Sequence, residues 1–155
     1  MLPTSAGLLM YRIINSKFQV FLVHPGGPFW KSKDEGVWTI PKGEIEDNEL
    51  PFKAAQRELK EETGIIPPKN EEAYINLGEI KQKSGKTVKA WAFQGDWSGL
   101  LMTSNYVKIE YPYKSGKFIK VPEVDKAQFF SLEESKKKIN PAQKTFLERL
   151  ENYIN

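Results

Sequence analysis

With 155 residues, 39% of them hydrophobic and 28% charged, the chain has the size and balance of one folded domain, 1–155, with a real apolar core. The absence of cysteine excludes disulfides and thiolate metal sites, and no apolar run approaches the roughly 18 residues that a membrane-spanning helix needs. A net charge of +3 is modest, and the opening MLPTSAGLLMYRI lacks the basic region and cleavage pattern of a secretion signal, so a cytoplasmic location with no membrane partner is expected.

Taken in chain order, Ala6 to Ile14 and Phe18 to His24 are apolar, β-branched and aromatic runs on either side of Asn15-Ser16-Lys17, which predicts a hairpin. The stretch His24-Pro25-Gly26-Gly27-Pro28 is too rich in proline and glycine to continue a strand, so an exposed loop carrying Phe29 and Trp30 is expected to Gly36. Val37 to Ile40 then reads as a short strand that delivers Pro41-Lys42-Gly43. A helix is predicted from about Leu50, with Pro51 in its first turn and Phe52, Ala55 and Leu59 as its core stripe. Thr63-Gly64 suits its left-handed end, and Pro67-Pro68 prevents continuation.

Tyr74 to Gln82 and Thr87 to Gln94 predict a second hairpin around Ser84-Gly85. Asn105 to Glu110 and Ala127 to Phe130 are further strand candidates. Ser131 with Glu134 forms a capping-box pattern opening a short basic helix, in which Lys136 to Lys138 read as a solvated face. The last helix is expected from Asn140-Pro141, with Phe146, Leu147, Leu150 and Ile154 inward. Strands, a helix, more strands and two closing helices make an α/β domain with a mixed sheet covered by helices.

The chemistry concentrates between Gly43 and Ile65. Glu58, Glu61 and Glu62 are three and four residues apart, so they share a helix face and repel one another unless a cation neutralises them. Oxygen ligands of this kind suit magnesium, which commonly completes its shell with water and substrate phosphates. The lysines crowd elsewhere, from Lys81 to Lys89 and from Lys114 to Lys120, so a fold uniting these segments accommodates both a metal and a polyanion.

Gly43, five residues, Glu49, seven residues, then Arg57-Glu58-Leu59-Lys60-Glu61-Glu62-Thr63-Gly64-Ile65 resembles the signature of the Nudix hydrolases without a departure. The resemblance implies an α/β/α sandwich with a central mixed sheet and hydrolysis of a phosphoanhydride in a nucleotide, with magnesium or manganese as cofactor. It implies that Glu58, Glu61 and Glu62 ligate metal together with the carbonyl of Lys42, and that Glu49 and Arg57 pair to brace them, between turn points Gly43 and Gly64. The general base in such enzymes is often a glutamate outside this segment. Glu110, ending a strand before Tyr111-Pro112, is the first choice and Glu123 the second.

Water as nucleophile needs no covalent intermediate, which accords with the lack of cysteine and of a Ser/His/Asp set. His24 reads as a loop or turn residue, Trp38 as core or rim, and Trp30 as a candidate to stack on a base, with Lys42 near the phosphates. The segments HPGGPFW, IPKGE, QKSGK and PEVD are similar to bacterial predicted NTP pyrophosphohydrolases, and the approach to Gly43 resembles that of dinucleoside polyphosphate hydrolases. Gln82 stands near where the latter often carry tyrosine, and no proline marks the region of Lys81 as in ADP-ribose enzymes. The expected substrate is thus a nucleoside triphosphate or dinucleoside polyphosphate. The alternatives are an RNA 5′ end, the one nucleic-acid partner considered, and a regulatory module that binds nucleotide without cleaving it. Selectivity is expected in the loop Pro25 to Gly36 and between Gly95 and Glu110, and no feature assigns an oligomeric state.

Overall fold

A computed structural model describes residues 3–99 and 106–154. β1 (Thr4–Ile14) and β2 (Lys17–Pro25) form the expected hairpin, closed by Asn15 and Ser16 at φ 52° and 65°. β1 also pairs in parallel with β5 (Thr87–Gln94), which pairs antiparallel with β4 (Tyr74–Lys81), while β8 (Val124–Ser131) flanks β2. The result is a mixed sheet ordered β4-β5-β1-β2-β8, with the short β3 (Lys42–Glu44) beside β1.

Alternation along the strands gives the sheet two apolar faces. Ala6, Leu8, Met10, Phe21 and Val23 pack against Ala54, Ala55 and Leu59 of α1 (Pro51–Thr63). Leu9, Val20 and Leu22 pack on the other side against Trp38, Ile40 and the Phe146, Leu147 and Leu150 of α3 (Lys144–Ile154). This is the expected sandwich. No helix among the described residues is long and apolar enough to cross a membrane.

One departure shapes the site. β1 and β2 pair only from Tyr11 to Ile14, and the chain from Thr39 to Glu44 enters the gap where they diverge. Val23 and Thr39 exchange backbone hydrogen bonds of 2.9 Å, Leu8 N–H donates to the Pro41 carbonyl at 3.1 Å, and β3 then pairs Ser5 with Glu44 and Gly7 with Lys42. The predicted strand Val37 to Ile40 is therefore only two isolated bridges, Val23 with Thr39 and Trp38 with Ile139. Its continuity fails because the Ile40 N–H donates to the Gln143 side chain and Pro41 has no N–H to give. Gly7 permits the insertion, since a Cβ there would lie 2.6 Å from the Pro41 carbonyl oxygen.

Two other expectations change. The last helix is preceded by a separate 3-10 turn, Pro141–Gln143, capped by Asn140, and Ile154 is exposed because the chain has passed the sheet's edge. The strand predicted near Asn105 begins as β6 (Tyr106–Glu110), Asn105 itself lying outside the described residues, and it pairs with an unforeseen β7 (Phe118–Pro122) in a separate two-stranded sheet. Ser131 caps α2 (Leu132–Lys138) as read, accepting from Glu134 N–H at 3.1 Å.

Helix α1 ends as predicted, with Gly64 at φ 80° donating its N–H to the Lys60 carbonyl. An L side chain there costs about 1 kcal/mol of left-handed strain. Gly64→Ala is accordingly expected to lower the unfolding free energy by about that amount, seen as a lower urea midpoint at unchanged slope, and a midpoint equal to the parent's would show that this turn carries no such strain.

Candidate active site

Helix periodicity sends Ala55 and Leu59 into the core, and the same geometry places Glu58 and Glu62 one turn apart beneath β3, where both are buried. Gly43 makes room for the first of them. A Cβ on Gly43 would fall 2.0 Å from the Glu58 carboxyl carbon, so only glycine lets the carboxylate lie against the β3 backbone.

Arg57 organises the rest. Its Nε and Nη2 donate to the two oxygens of Glu49 at 2.8 and 3.0 Å, Nη2 also reaches the Glu44 carbonyl at 3.1 Å, and Nη1 donates to Glu58 at 2.8 Å and Glu61 at 3.1 Å. The bidentate bond to Arg57 holds the Glu49 carboxyl below the usual range, and Glu49 in turn raises the guanidinium. The expected brace is present and is wider than a pair, because one guanidinium joins the loop, two helix carboxylates and a backbone carbonyl.

The electrostatics grow more severe inward. Burial first, then the charges of Glu61 and Glu123, raise Glu58 against the opposing pull of Arg57. Glu62 is pushed up to about 9, chiefly by burial, with Glu58 and its hydrogen-bonded neighbour Glu123 adding to it and Lys42 opposing. Burial, with the charge of Lys86, lowers the Lys42 ammonium. These four groups therefore sit in one partly desolvated cluster.

Two clefts meet there, both including Lys42 and Glu123 in their walls. One, of about 330 Å³, is walled by Phe29, Trp30, Val107, Ile109 and Val121, with Glu62 at its base. The other, of about 490 Å³, is polar and lined by Ser5, Glu44, Glu46, Glu58 and Lys86. Ser5 is fully buried, and its hydroxyl has no hydrogen-bond partner among the described residues.

The structure thus unites Glu58, Glu62, Lys42 and Trp30 with Glu123, whereas Glu110 stands apart. The Glu110 carboxylate accepts the backbone N–H groups of Lys114 and Gly116 at 3.2 and 3.0 Å, which ties together the β6–β7 turn. Glu61 is more open than its two neighbours and leans on Arg57. His24 is no loop residue but a buried member of β2, its Nε2 donating to the Lys33 carbonyl at 2.7 Å and its Nδ1 2.8 Å from Asp125. Trp38 is in the core with its indole N–H on Asp34. Sequence reading missed Ser5 and Val121, whereas Lys86 lies in the lysine segment, and Val107 and Ile109 in the selectivity segment, that it named. Only the alternation of Val107 and Ile109 carried a local signal, since strand pairing alone brings Ser5 to Glu44. Of the second expected selectivity segment, 100–105 lie outside the described residues.

Among the described residues no three His, Asp or Glu side chains are arranged around one cation position. Arg57 Nη1 donates to one oxygen each of Glu58 and Glu61. The donor set nevertheless suits a hard cation, because it is all oxygen and because the Glu58, Glu62 and Glu123 carboxyls gather near one buried ammonium, beside an unpartnered hydroxyl.

Residues 3–150 match the family model described as NUDIX domain. The asymmetrical bis(5′-nucleosyl)-tetraphosphatase of Caenorhabditis elegans is 31% identical over 94 residues, 59% of this chain and 64% of that protein. Nudix hydrolase 25 of Arabidopsis thaliana is 58% identical over 31 residues, 20% of this chain and 18% of that protein. The chain thus spans less than two thirds of the length of these curated relatives. The crystal structure of a C. elegans Ap4A hydrolase binary complex superposes with TM-score 0.68 over 99% of this chain and 98% of that one, at 23% identity, a likeness of fold.

The contact of Gly43 with Glu58 yields a direct test. In Gly43→Ala the flexible carboxylate must move while the strand stays, so affinity for magnesium or manganese by titration calorimetry is expected to fall about 10- to 100-fold with folding retained. Unchanged ion affinity would remove Glu58 from the ligand set.

Proposed function

The chain belongs to the NUDIX family, and from that premise we propose that it hydrolyses a phosphoanhydride bond of a nucleoside polyphosphate, either a triphosphate or a dinucleoside polyphosphate. The observation that carries this reading is the meeting of Glu58, Glu62, Glu123 and Lys42 where an aromatic cleft joins a polar one. The aromatic cleft suits a nucleobase, with Trp30 and Phe29 on its wall, and the polar cleft suits the phosphate chain.

In this reading Glu58, Glu61, Glu62 and the carbonyl of Lys42 hold magnesium, or manganese in its place. When bound, such an ion neutralises phosphate charge and lowers the pKa of water. Arg57, anchored by Glu49, keeps Glu58 and Glu61 on the helix face from which they ligate. The Lys42 ammonium, desolvated at the junction, pairs with a phosphate oxygen. Glu123 takes the proton of the water that attacks phosphorus in line, because it is the carboxylate outside the helix that contacts the cluster. Glu110 holds the turn of the ribbon instead.

Incubation with a panel of nucleoside triphosphates and dinucleoside polyphosphates in magnesium is expected to release phosphate-bearing products, and a chelator to stop the release. Glu62→Gln should reduce turnover about a hundredfold or more with the fold intact. Glu123→Gln should lower kcat by about 10²- to 10⁴-fold, whereas Glu110→Gln leaves kcat near the parent's and weakens only the turn. The reverse pattern in those two variants would transfer the role of base to Glu110, and no turnover on any diphosphate-linked compound would sink the reading as a whole.

A further inference from the structure

The loop that carries Phe29 and Trp30 is tied to the sheet at its middle by a buried histidine. Its two ends are held by backbone bonds, from Gly26 N–H to the Glu123 carbonyl at 3.0 Å and from Gly36 N–H to the Lys137 carbonyl at 3.1 Å. Asp34 secures the later part by accepting the Trp38 indole N–H and pairing with Lys138. Between these anchors, Nε2 of His24 donates to the Lys33 carbonyl at 2.7 Å. The Lys33 N–H donates in turn to the Trp30 carbonyl at 2.9 Å, and the Trp30 N–H to the Gly27 carbonyl at 3.2 Å. Lys33 therefore relays the position of the imidazole to the residue on the wall of the aromatic cleft.

The ring is a fixed point because both of its nitrogens are engaged by other segments. Its side chain is fully buried, it meets the Trp38 ring at 5.2 Å, and Nδ1 lies 2.8 Å from Asp125. The pairing of β2 with β8 prepares that last contact. His24 pairs with Lys126 and Pro25 with Val124, so Asp125 is an extra residue in β8, and a bulge of this kind re-aims a side chain. If the ring served to fill the core alone, neither a bulged carboxylate nor a loop carbonyl would need to meet it.

We propose that His24 is a positioning residue for the nucleoside half of the ligand: through Lys33 it holds Trp30 on the cleft wall, and so sets affinity for the base while leaving affinity for the phosphate chain unchanged. The identity of the ligand rests on the proposed hydrolase reading, but binding tests the role of His24 without turnover. A loop released from the ring spends part of its time away from the base-binding position, and apparent affinity falls in proportion to the competent fraction. The polar cleft is lined from other segments, by Ser5, Glu44 and Lys86, and does not depend on this tie.

Asparagine and glutamine separate the two nitrogens of His24, since their amide nitrogens stand near the places of Nδ1 and Nε2 respectively. Titration calorimetry in magnesium compares an ATP analogue, with methylene groups in place of both anhydride oxygens, with the same bridged chain lacking its nucleoside. His24→Asn is expected to weaken the nucleotide about tenfold and the bare chain less than about twofold, whereas His24→Gln keeps both within about threefold of the parent. In a Trp30→Ala background, His24→Asn should add less than about twofold, because the two residues act as one. Lys33 is exposed, and Lys33→Pro removes the N–H that reaches Trp30 without touching the core, so the proposal stays testable if His24→Asn does not fold. It too should weaken the nucleotide about tenfold, while Lys33→Ala, which keeps the peptide and loses the ammonium 5.3 Å from the Trp30 ring centroid, stays within about twofold. Equal losses in the Asn and Gln variants, an equal loss on the bare chain, additive losses with Trp30→Ala, or a parent that binds both chains equally would overturn the proposal. Absence of turnover by a parent that still binds the nucleotide more tightly than the bare chain sinks the hydrolase reading and leaves His24 to be decided by these affinities.

Discussion

Arg57 is the interaction on which the site depends. An isolated surface ion pair contributes about 0–1 kcal/mol, because water competes and two long side chains must be ordered. Arg57 escapes that limit by geometry. Its planar fork is already ordered by Glu49, so each further bond to Glu58, Glu61 and the Glu44 carbonyl costs little additional freedom. Lysine, a point charge with no fork, cannot hold the loop and the helix in one register. The network therefore sets where the helix carboxylates point.

Around that brace the backbone supplies the space. The sheet opens because β1 and β2 part company after four residue pairs, and the chain from Thr39 to Glu44 fills the opening. Gly7 lets it enter and Gly43 lets Glu58 lie under it. Core packing on both sides of the sheet holds this gap open, with α1 on one face and α3 on the other. The same opening brings Lys42 to the polar cleft, together with Ser5 from a strand that local sequence gives no reason to associate with Glu58.

What was legible in the sequence follows from this division. The helix and its caps were readable because Pro51, Leu59, Thr63 and Gly64 act over a few residues, and the Glu49–Arg57 pair because its spacing lies within one loop and helix. The strand at Val37 to Ile40 was misread because its β-branched residues serve as core plugs while a side chain, Gln143, takes the backbone bond. The places of Glu110, at the turn, and Glu123, at the cluster, were not legible for a different reason. Both precede or follow strand ends, and only the pairing of β6 with β7 decides that one faces a turn and the other faces Glu62. The lysine-rich run from Lys114 to Lys120 likewise hid the strand that pairs with β6.

For the proposed hydrolase, the charges at the junction of the clefts give a reason for cation and phosphate to enter together. Glu58, Glu62 and Glu123 gather around the buried ammonium of Lys42, and burial above all, with Glu58 and Glu123 adding to it, raises Glu62. A divalent ion alone would offset the carboxylate charge and then lower the Lys42 ammonium further. A polyphosphate alone would face three carboxylates. Brought in as one, the ion answers the carboxylates and the phosphate answers both the ion and Lys42, with the Ser5 hydroxyl available as a donor at the edge. In the proposed hydrolase, the carboxylates and Lys42 together thus suit a metal-bearing polyphosphate better than either component.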